Sequence, residues 1–94
     1  MKAIWKNEII AESNETIVVE SNHYFPRGSI HNEYFIQSNH SSHCPWKGDA
    51  SYFTIRVNGQ INQNAAWYYA DPKDAARNIT GMIAFWHGVE IVEE

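Results

Sequence analysis

The sequence predicts a mainly β fold, a single antiparallel domain with one short helix near residues 72–79. Through most of the chain the apolar residues recur at the short period that is typical of half-buried strands. Asn58-Gly59 lies between two β-rich runs, and this dipeptide is the strongest short-range hairpin signal. Asp71-Pro72 marks a helix start, and Gly81 ends the helical segment after a few residues.

The N-terminal half contains short runs that are typical of strands. Residues 3–5 and 9–11 flank a polar triplet, which predicts a hairpin with a short loop. Residues 16–20 are β-branched and predict a further strand, whereas residues 34–37 give a weaker strand signal. Residues 38–42 are polar, so we expect a loop there.

The central hairpin, residues 50–70, has two candidate registers. A two-residue loop at Asn58-Gly59 would set Ile55 opposite Asn62, which pairs an apolar with a polar side chain. A three-residue loop that includes Val57 would instead gather the apolar side chains on one face. We predict the second register because it buries one consistent face.

This register gives the hairpin two different faces. The face expected in the core carries Phe53, Ile55, Ile61, Ala65, Trp67 and Tyr69. The opposite face is polar and aromatic, and it carries Tyr52, Thr54, Arg56, Ala66 and Tyr68. A ligand could sit on this second face.

The C-terminal third predicts the helix and two more strands. Asp71 would be the N-cap and Pro72 the first helical residue. The negative charge of Asp74 would interact favourably with the positive N-terminal end of the helix. Residues 82–86 and 89–92 are rich in bulky apolar side chains, which favours strands.

Composition restricts the class of protein. A chain of 94 residues predicts one domain, residues 1–94. The net charge of −4 argues against nucleic-acid binding, because a phosphate binder needs a basic patch. The single cysteine excludes an internal disulfide framework and a multi-cysteine zinc site. The sequence shows neither a membrane-spanning apolar run nor a signal-peptide core, so we expect no membrane contact and a cytoplasmic location.

The most distinctive motif is Cys44-Pro45-Trp46-Lys47-Gly48, a turn shaped by its proline and glycine. A lysine near a thiol favours the thiolate, so Cys44 is a candidate nucleophile with Lys47 beside it. Lys47 is equally a candidate anion-binding point. The alternative, which spacing alone favours, is a structural turn in which Trp46 fills the core, Cys44 is buried and Lys47 is solvated.

Other polar and aromatic residues are candidate ligand contacts. Arg27 together with Lys47 could bind a phosphate or carboxylate, although Tyr24 and its neighbours more simply predict an anchored loop. Trp67 and Tyr69 could stack on a planar ligand, although alternate rings of such a run usually face the core.

His40 and His43 adjoin the cysteine, but their spacing is not that of a zinc or copper site. We interpret both as solvated loop histidines. The sequence therefore predicts neither a bound metal nor a cofactor.

Several segments in this order resemble one known family: residues 22–26, 44–48 followed by Ala50 and Tyr52, 65–69, 71–72, and 84–86 followed by Val89. The chain is similar to the prokaryotic domain-of-unknown-function family 427, which is also described as nucleotidyltransferase-like. The resemblance implies a compact, mostly β fold, either a small barrel or a β-tent-like domain. The matching motif positions are Tyr24, Cys44, Trp46, Lys47, Tyr52, Trp67 and Tyr69. His40 and His43 depart from the Ser/Thr-rich family pattern, and the acidic residues form no cluster for a nucleotidyltransferase magnesium site.

The sequence leads to one main functional hypothesis and two alternatives. The main hypothesis is a protein that binds a small anionic or planar ligand in a polar-aromatic pocket near the Cys44–Gly48 turn. Its ligand contacts would be Tyr24, Arg27, Lys47, Trp46, Tyr52, Trp67 and Tyr69. The first alternative is an enzyme that uses Cys44 as its nucleophile, activated by Lys47 or a histidine, or a nucleotidyltransferase-like enzyme as the family label suggests. The second is an interaction module that forms a homodimer through an exposed apolar patch.

Overall fold

Strands and short 3-10 turns build the protein in the computed structural model, which describes residues 1–93. The strands are β1 (Lys2–Trp5), β2 (Glu8–Glu12), β3 (Ile17–Val19), β4 (Asn22–Tyr24), β5 (Phe35–Cys44), β6 (Gly48–Val57), β7 (Gln60–Tyr68), β8 (Ile83–Phe85) and β9 (Glu90–Val92). The 3-10 turns span Arg27–Ser29, Asn32–Tyr34 and Asp74–Ile79.

The strands form three antiparallel sheets, which confirms the predicted mainly β class. The largest has the order β5-β6-β7-β8, the second has the order β2-β1-β9, and β3 pairs with β4. The described strands do not close into a barrel. Phe25 joins the small hairpin to the largest sheet, because its N–H and C=O bond the backbone of Ile83 at 2.7 and 2.8 Å.

The four-stranded sheet separates two hydrophobic cores. Phe53 on β6 contributes to the first core, together with residues of the β2-β1-β9 sheet. Its neighbour Tyr52 points the opposite way and contributes to the second core, with Tyr24 of β4 and Ile79 of the last 3-10 turn. Because successive strand residues alternate between faces, burial of both Tyr52 and Phe53 shows that the sheet is covered on both sides.

The register predicted for the central hairpin is wrong. Asn58 and Gly59 form a two-residue loop with φ of 50° and 80°, and Ile55 lies opposite Asn62. The left-handed geometry that Asn-Gly favours therefore decides the loop. The apolar pairing is restored further along the hairpin by a bulge around Asn64, whose φ is 55°.

The bulge changes which residues share a face. Phe53 pairs with Ala66, and Tyr52 pairs with Trp67. Tyr52 and Trp67 therefore lie on the same side of the sheet. The predicted register had placed these two side chains on opposite sides. Ile61, expected in the core, is 57% exposed.

Residues 38–42 were expected to form a loop but lie inside β5. Ser41 pairs with Ser51 and Ser42 with Ala50, after a register shift that follows Gln37. The segment is polar because β5 is an edge strand with mostly exposed side chains, so its composition reports exposure rather than a loop.

The predicted helix is a kinked 3-10 segment, Asp74–Ile79, with Ala76 at a φ of −120°. Lys73 occupies the N-cap position that was expected for Asp71. Asp71 instead accepts a hydrogen bond from Arg77 at 3.1 Å. The predicted N-terminal hairpin is confirmed, with Lys6 and Asn7 as its turn.

Candidate functional site

The Cys44–Gly48 turn is fixed against the segment that precedes the last 3-10 turn. The backbone N–H of Lys73 donates to the carbonyl of Lys47 at 2.9 Å, and Lys73 Nζ donates to the carbonyl of Pro45 at 2.7 Å. Gly48 has a φ of 111°, a conformation that favours glycine. These contacts define the direction in which the Lys47 side chain leaves the turn.

Lys47 is buried, with only 8% of its side chain exposed, and its ammonium forms an ion pair with Glu20. The ammonium also lies 5.2 Å from the ring centroid of Trp46 and 5.5 Å from that of Tyr69, within cation–π range. The structural alternative expected a solvated Lys47 and a core Trp46. Both expectations are wrong, because Trp46 is exposed and covers the buried lysine.

The charge of Lys47 is compensated inside the protein. Burial alone lowers the pKa of Lys47, but the hydrogen bond to Glu20 and the nearby phenols of Tyr24 and Tyr69 outweigh it and raise that pKa. The hydrogen bond from Lys47 in turn lowers the pKa of Glu20. Burial raises the pKa of Tyr69. Lys47 and Glu20 are therefore both ionised at neutral pH. The carboxylate of Glu20 already occupies the position that an anionic ligand of Lys47 would take.

The structure brings several of the predicted site residues together around the second core. Tyr24 is fully buried there, and its hydroxyl oxygen accepts a hydrogen bond from Trp67 Nε1 at 3.2 Å. Cys44 is half-buried at the end of β5 and packs against the same core, as Trp67 does. Tyr69 is another member and contacts Lys47.

Arg27 lies apart from this group. Its guanidinium is 5.7 Å from the ring centroid of Phe53, and Nη1 donates to Asn32 Oδ1 at 3.0 Å. Phe53 belongs to the first core, whereas Tyr69 beside Lys47 belongs to the second. The two cations thus contact opposite sides of the four-stranded sheet, and the structure does not bring them together as an anion site.

A cluster of rings lies on the second-core side of the sheet, where β6 carries Tyr52, β7 carries Trp67, and Trp86 directly follows β8. We call these three side chains the aromatic face. The ring centroid of Trp86 lies 5.4 Å from that of Trp67 and 6.3 Å from that of Tyr52. The imidazoles of His40 and His87 border it, 4.6 Å from Tyr52 and 4.2 Å from Trp86. Trp86 is 44% exposed and Trp67 is half-buried, whereas Tyr52 is buried, so the aromatic face meets solvent mainly at Trp86.

Hydrogen bonds hold the three rings in place. Trp86 Nε1 donates to the backbone carbonyl of Asn64 at 2.6 Å. Tyr52 shares a hydrogen bond of 2.8 Å with Ser42, and Trp67 donates to Tyr24 as described above. The Asn64 bulge therefore has two effects, since it pairs Tyr52 with Trp67 and also supplies the carbonyl that orients Trp86.

Sequence reasoning missed Trp86 as a site residue. Trp86 follows Ala84 of β8 by two positions, and Ala84 pairs with Trp67. The period of two along a strand would have placed Trp86 on the same face as Trp67, once that pairing was known. His40 was also missed as a ring contact, because it was assigned to a loop.

The aromatic face is an open surface rather than a cavity. Within residues 1–93 the structure contains no pocket, so the predicted polar-aromatic pocket is absent from that part of the chain. In the same residues, no group of three His, Cys, Asp or Glu side chains is arranged to hold a metal ion. The described helical segments include none with the length and apolar character needed to cross a bilayer.

Comparison with protein families finds a match over the whole chain. A family model labelled NTP_transf_9, and described as a domain of unknown function (DUF427), matches residues 1–94. No curated protein matches the chain significantly.

Proposed function

The chain belongs to the DUF427 family over its whole length, and we propose that it binds a small planar ligand by stacking on the aromatic face. The observation that carries this proposal is the state of Trp86. Its indole is oriented by a hydrogen bond and by two neighbouring rings, yet 44% of the residue is exposed. A large ring that is held in position and left open to solvent is a preorganised stacking surface.

The aromatic face supports the proposal better than the region around Lys47 does. An anion that used Lys47 would have to displace Glu20 and enter a site where the lysine side chain is 8% exposed. A planar ligand on Trp86 would meet a ring that is 44% exposed and need not break an ion pair. The exposed ring of Trp86 therefore supports the binding of a planar ligand. The buried and paired Lys47 gives little support to the binding of an anionic ligand at the Cys44–Gly48 turn.

The expected affinity is modest because the surface is open. Stacking on an aromatic side chain contributes about 1–3 kcal/mol per ring, and part of this offsets the loss of ligand freedom. We therefore expect a dissociation constant on the order of 1 mM or weaker, where 1 mM corresponds to a net binding free energy of about 4 kcal/mol. Nucleophilic catalysis by Cys44 and dimer formation stay predictions from the sequence.

The experiment that tests the proposal is a calorimetric titration with adenosine, a planar and uncharged probe. We expect wild-type binding near 1 mM, and a loss of about 5- to 150-fold in Trp86→Ala, equivalent to about 1–3 kcal/mol of stacking. Val18→Ala is the matched control, because Val18 is also a large exposed apolar residue but lies on β3. Equal adenosine affinity in Trp86→Ala and wild type would contradict the proposal, provided that circular dichroism shows both to be folded.

A further inference from the structure

We infer that Arg56 is the anion-binding part of this ligand site, so that the ligand class is a planar ring that carries a phosphate or carboxylate group. This inference rests on the proposed function, because it extends the aromatic face by one residue. It assigns to Arg56 the role that the sequence had given to Arg27 and Lys47.

The first observation is that Arg56 lacks a partner within residues 1–93, which include all seven Lys and Arg residues. The other six cations all have a recorded contact. These contacts are Lys2 with Glu12, Lys6 with Trp5, Arg27 with Asn32, Lys47 with Glu20, Lys73 with Pro45, and Arg77 with Asp71. Arg56 is exposed and its guanidinium is available to a ligand.

The second observation is the position of Arg56 relative to the rings. Tyr52, Thr54 and Arg56 alternate along β6, so they share one side of the sheet. At about 3.3 Å per residue, Arg56 lies about 13 Å along the strand from Tyr52. The side chain of an arginine is long and flexible enough to shorten this separation considerably.

Two hydrogen bonds through Asn64 connect Trp86 to Thr54, the residue midway between Tyr52 and Arg56 on this face of β6. Thr54 Oγ1 accepts a hydrogen bond from the backbone N–H of Asn64 at 3.2 Å. The carbonyl of Asn64 accepts the indole N–H of Trp86 at 2.6 Å. Thr54 thus connects the Trp86 end of the aromatic face to Arg56, which is two residues further along the same strand face.

The charges around the site select the ligand. A guanidinium binds phosphate or carboxylate through paired hydrogen bonds, and it does so without a change of protonation near neutral pH. A ring stacked on Trp86 with a short anionic tail could reach Arg56. A long polyanion is disfavoured, because the chain has a net charge of −4 and Arg56 is the single cation without a partner in residues 1–93.

The test compares adenosine, AMP and ribose 5-phosphate on three proteins: wild type, Arg56→Gln and Arg27→Gln. In wild type at low salt we expect AMP to bind about fivefold more tightly than adenosine, and ribose 5-phosphate to bind more weakly than either. Arg56→Gln should lower the affinity for AMP about fivefold, to that of adenosine on the same variant. Arg27→Gln should behave as wild type, because Arg27 lies over Phe53 on the first-core side.

The other outcomes contradict either the role of Arg56 alone or the stacking site as well. If neither adenosine nor AMP binds wild type, the proposed function and this inference both fail. If adenosine binds and AMP binds no more tightly, or if Arg56→Gln keeps the AMP advantage, the inference fails and the stacking site stands. Ribose 5-phosphate binding as tightly as AMP would show that the anion alone is recognised, which also overturns the inference.

Discussion

Phe25→Ala should lower the free energy of unfolding by about 3–5 kcal/mol, the range for removal of a fully buried phenylalanine. Phe25 is fully buried, and its ring packs edge-on against Phe85 with centroids 5.5 Å apart. Its backbone also forms both hydrogen bonds to Ile83 that join the β3–β4 hairpin to the largest sheet. A cavity at this residue therefore removes packing at the junction of two sheets.

Urea unfolding followed by circular dichroism measures this loss. Because the expected loss is a large part of a typical domain stability of about 5–15 kcal/mol, Phe25→Leu serves as a milder second variant. Phe35→Ala is the matched control, since Phe35 also contacts Phe85 but is only partly buried. Equal losses in Phe25→Ala and Phe35→Ala would contradict the assignment of Phe25 to the junction.

The second large effect concerns the Lys47–Glu20 ion pair. We expect Glu20→Gln to destabilise the protein more than Lys47→Met does. Glu20→Gln leaves the ammonium of Lys47 buried at 8% exposure with its charge uncompensated, which is costly in a protein interior. Lys47→Met leaves a carboxylate that is 53% exposed and can be hydrated, and the methionine keeps most of the packed volume, so we expect the smaller loss of stability for this variant.

Unfolding of the double variant provides the check. Once Lys47 is Met, Glu20→Gln should have almost no further effect on the unfolding midpoint. Asp71→Asn is the control for loss of a carboxylate from an exposed ion pair, and it should change stability little. If Lys47→Met proved more destabilising than Glu20→Gln, packing of the lysine stem rather than charge pairing would dominate at this site.

The pH dependence of the same pair follows from the two pKa directions. Glu20 has a lowered pKa, so its contribution is present above its ordinary value of 4.5 and is lost as pH falls through the lower folded value. Lys47 has a raised pKa, so its contribution is present below its ordinary value of 10.5 and is lost as pH rises through the higher folded value. The stability difference between wild type and Lys47→Met should thus be constant from pH 4.5 to 10.5.

The predictable parts of the fold are those set by local chemistry. Asn58-Gly59 identified the central hairpin because few other dipeptides adopt two left-handed residues without strain. The register failed because it depends on the bulge around Asn64, and the surrounding residues show no local signal for it. In a hairpin without the bulge, the apolar side chains gather on one face only if the loop has three residues, which is why the three-residue loop was predicted.

The candidate site was less predictable for the same reason. The choice of side chains that share the aromatic face depends on the pairing of Tyr52 with Trp67, which the bulge creates. Lys47 was recognised as unusual, but its partner is Glu20, 27 residues away in the chain. Contacts of that kind depend on how the β3–β4 hairpin docks, and neither residue carries a local signal for it.

The central claim, that a planar ligand stacks on the aromatic face, is tested most directly by the indole N–H signals of the four tryptophans. Adenosine is titrated into ¹⁵N-labelled protein, and Trp5, which packs against the first core, serves as the internal control. We predict that the signals of Trp86 and Trp67 move together and saturate, while that of Trp5 stays in place. A shift of Trp46 with Trp86 unmoved would place the ligand at Lys47 instead, and would contradict the claim.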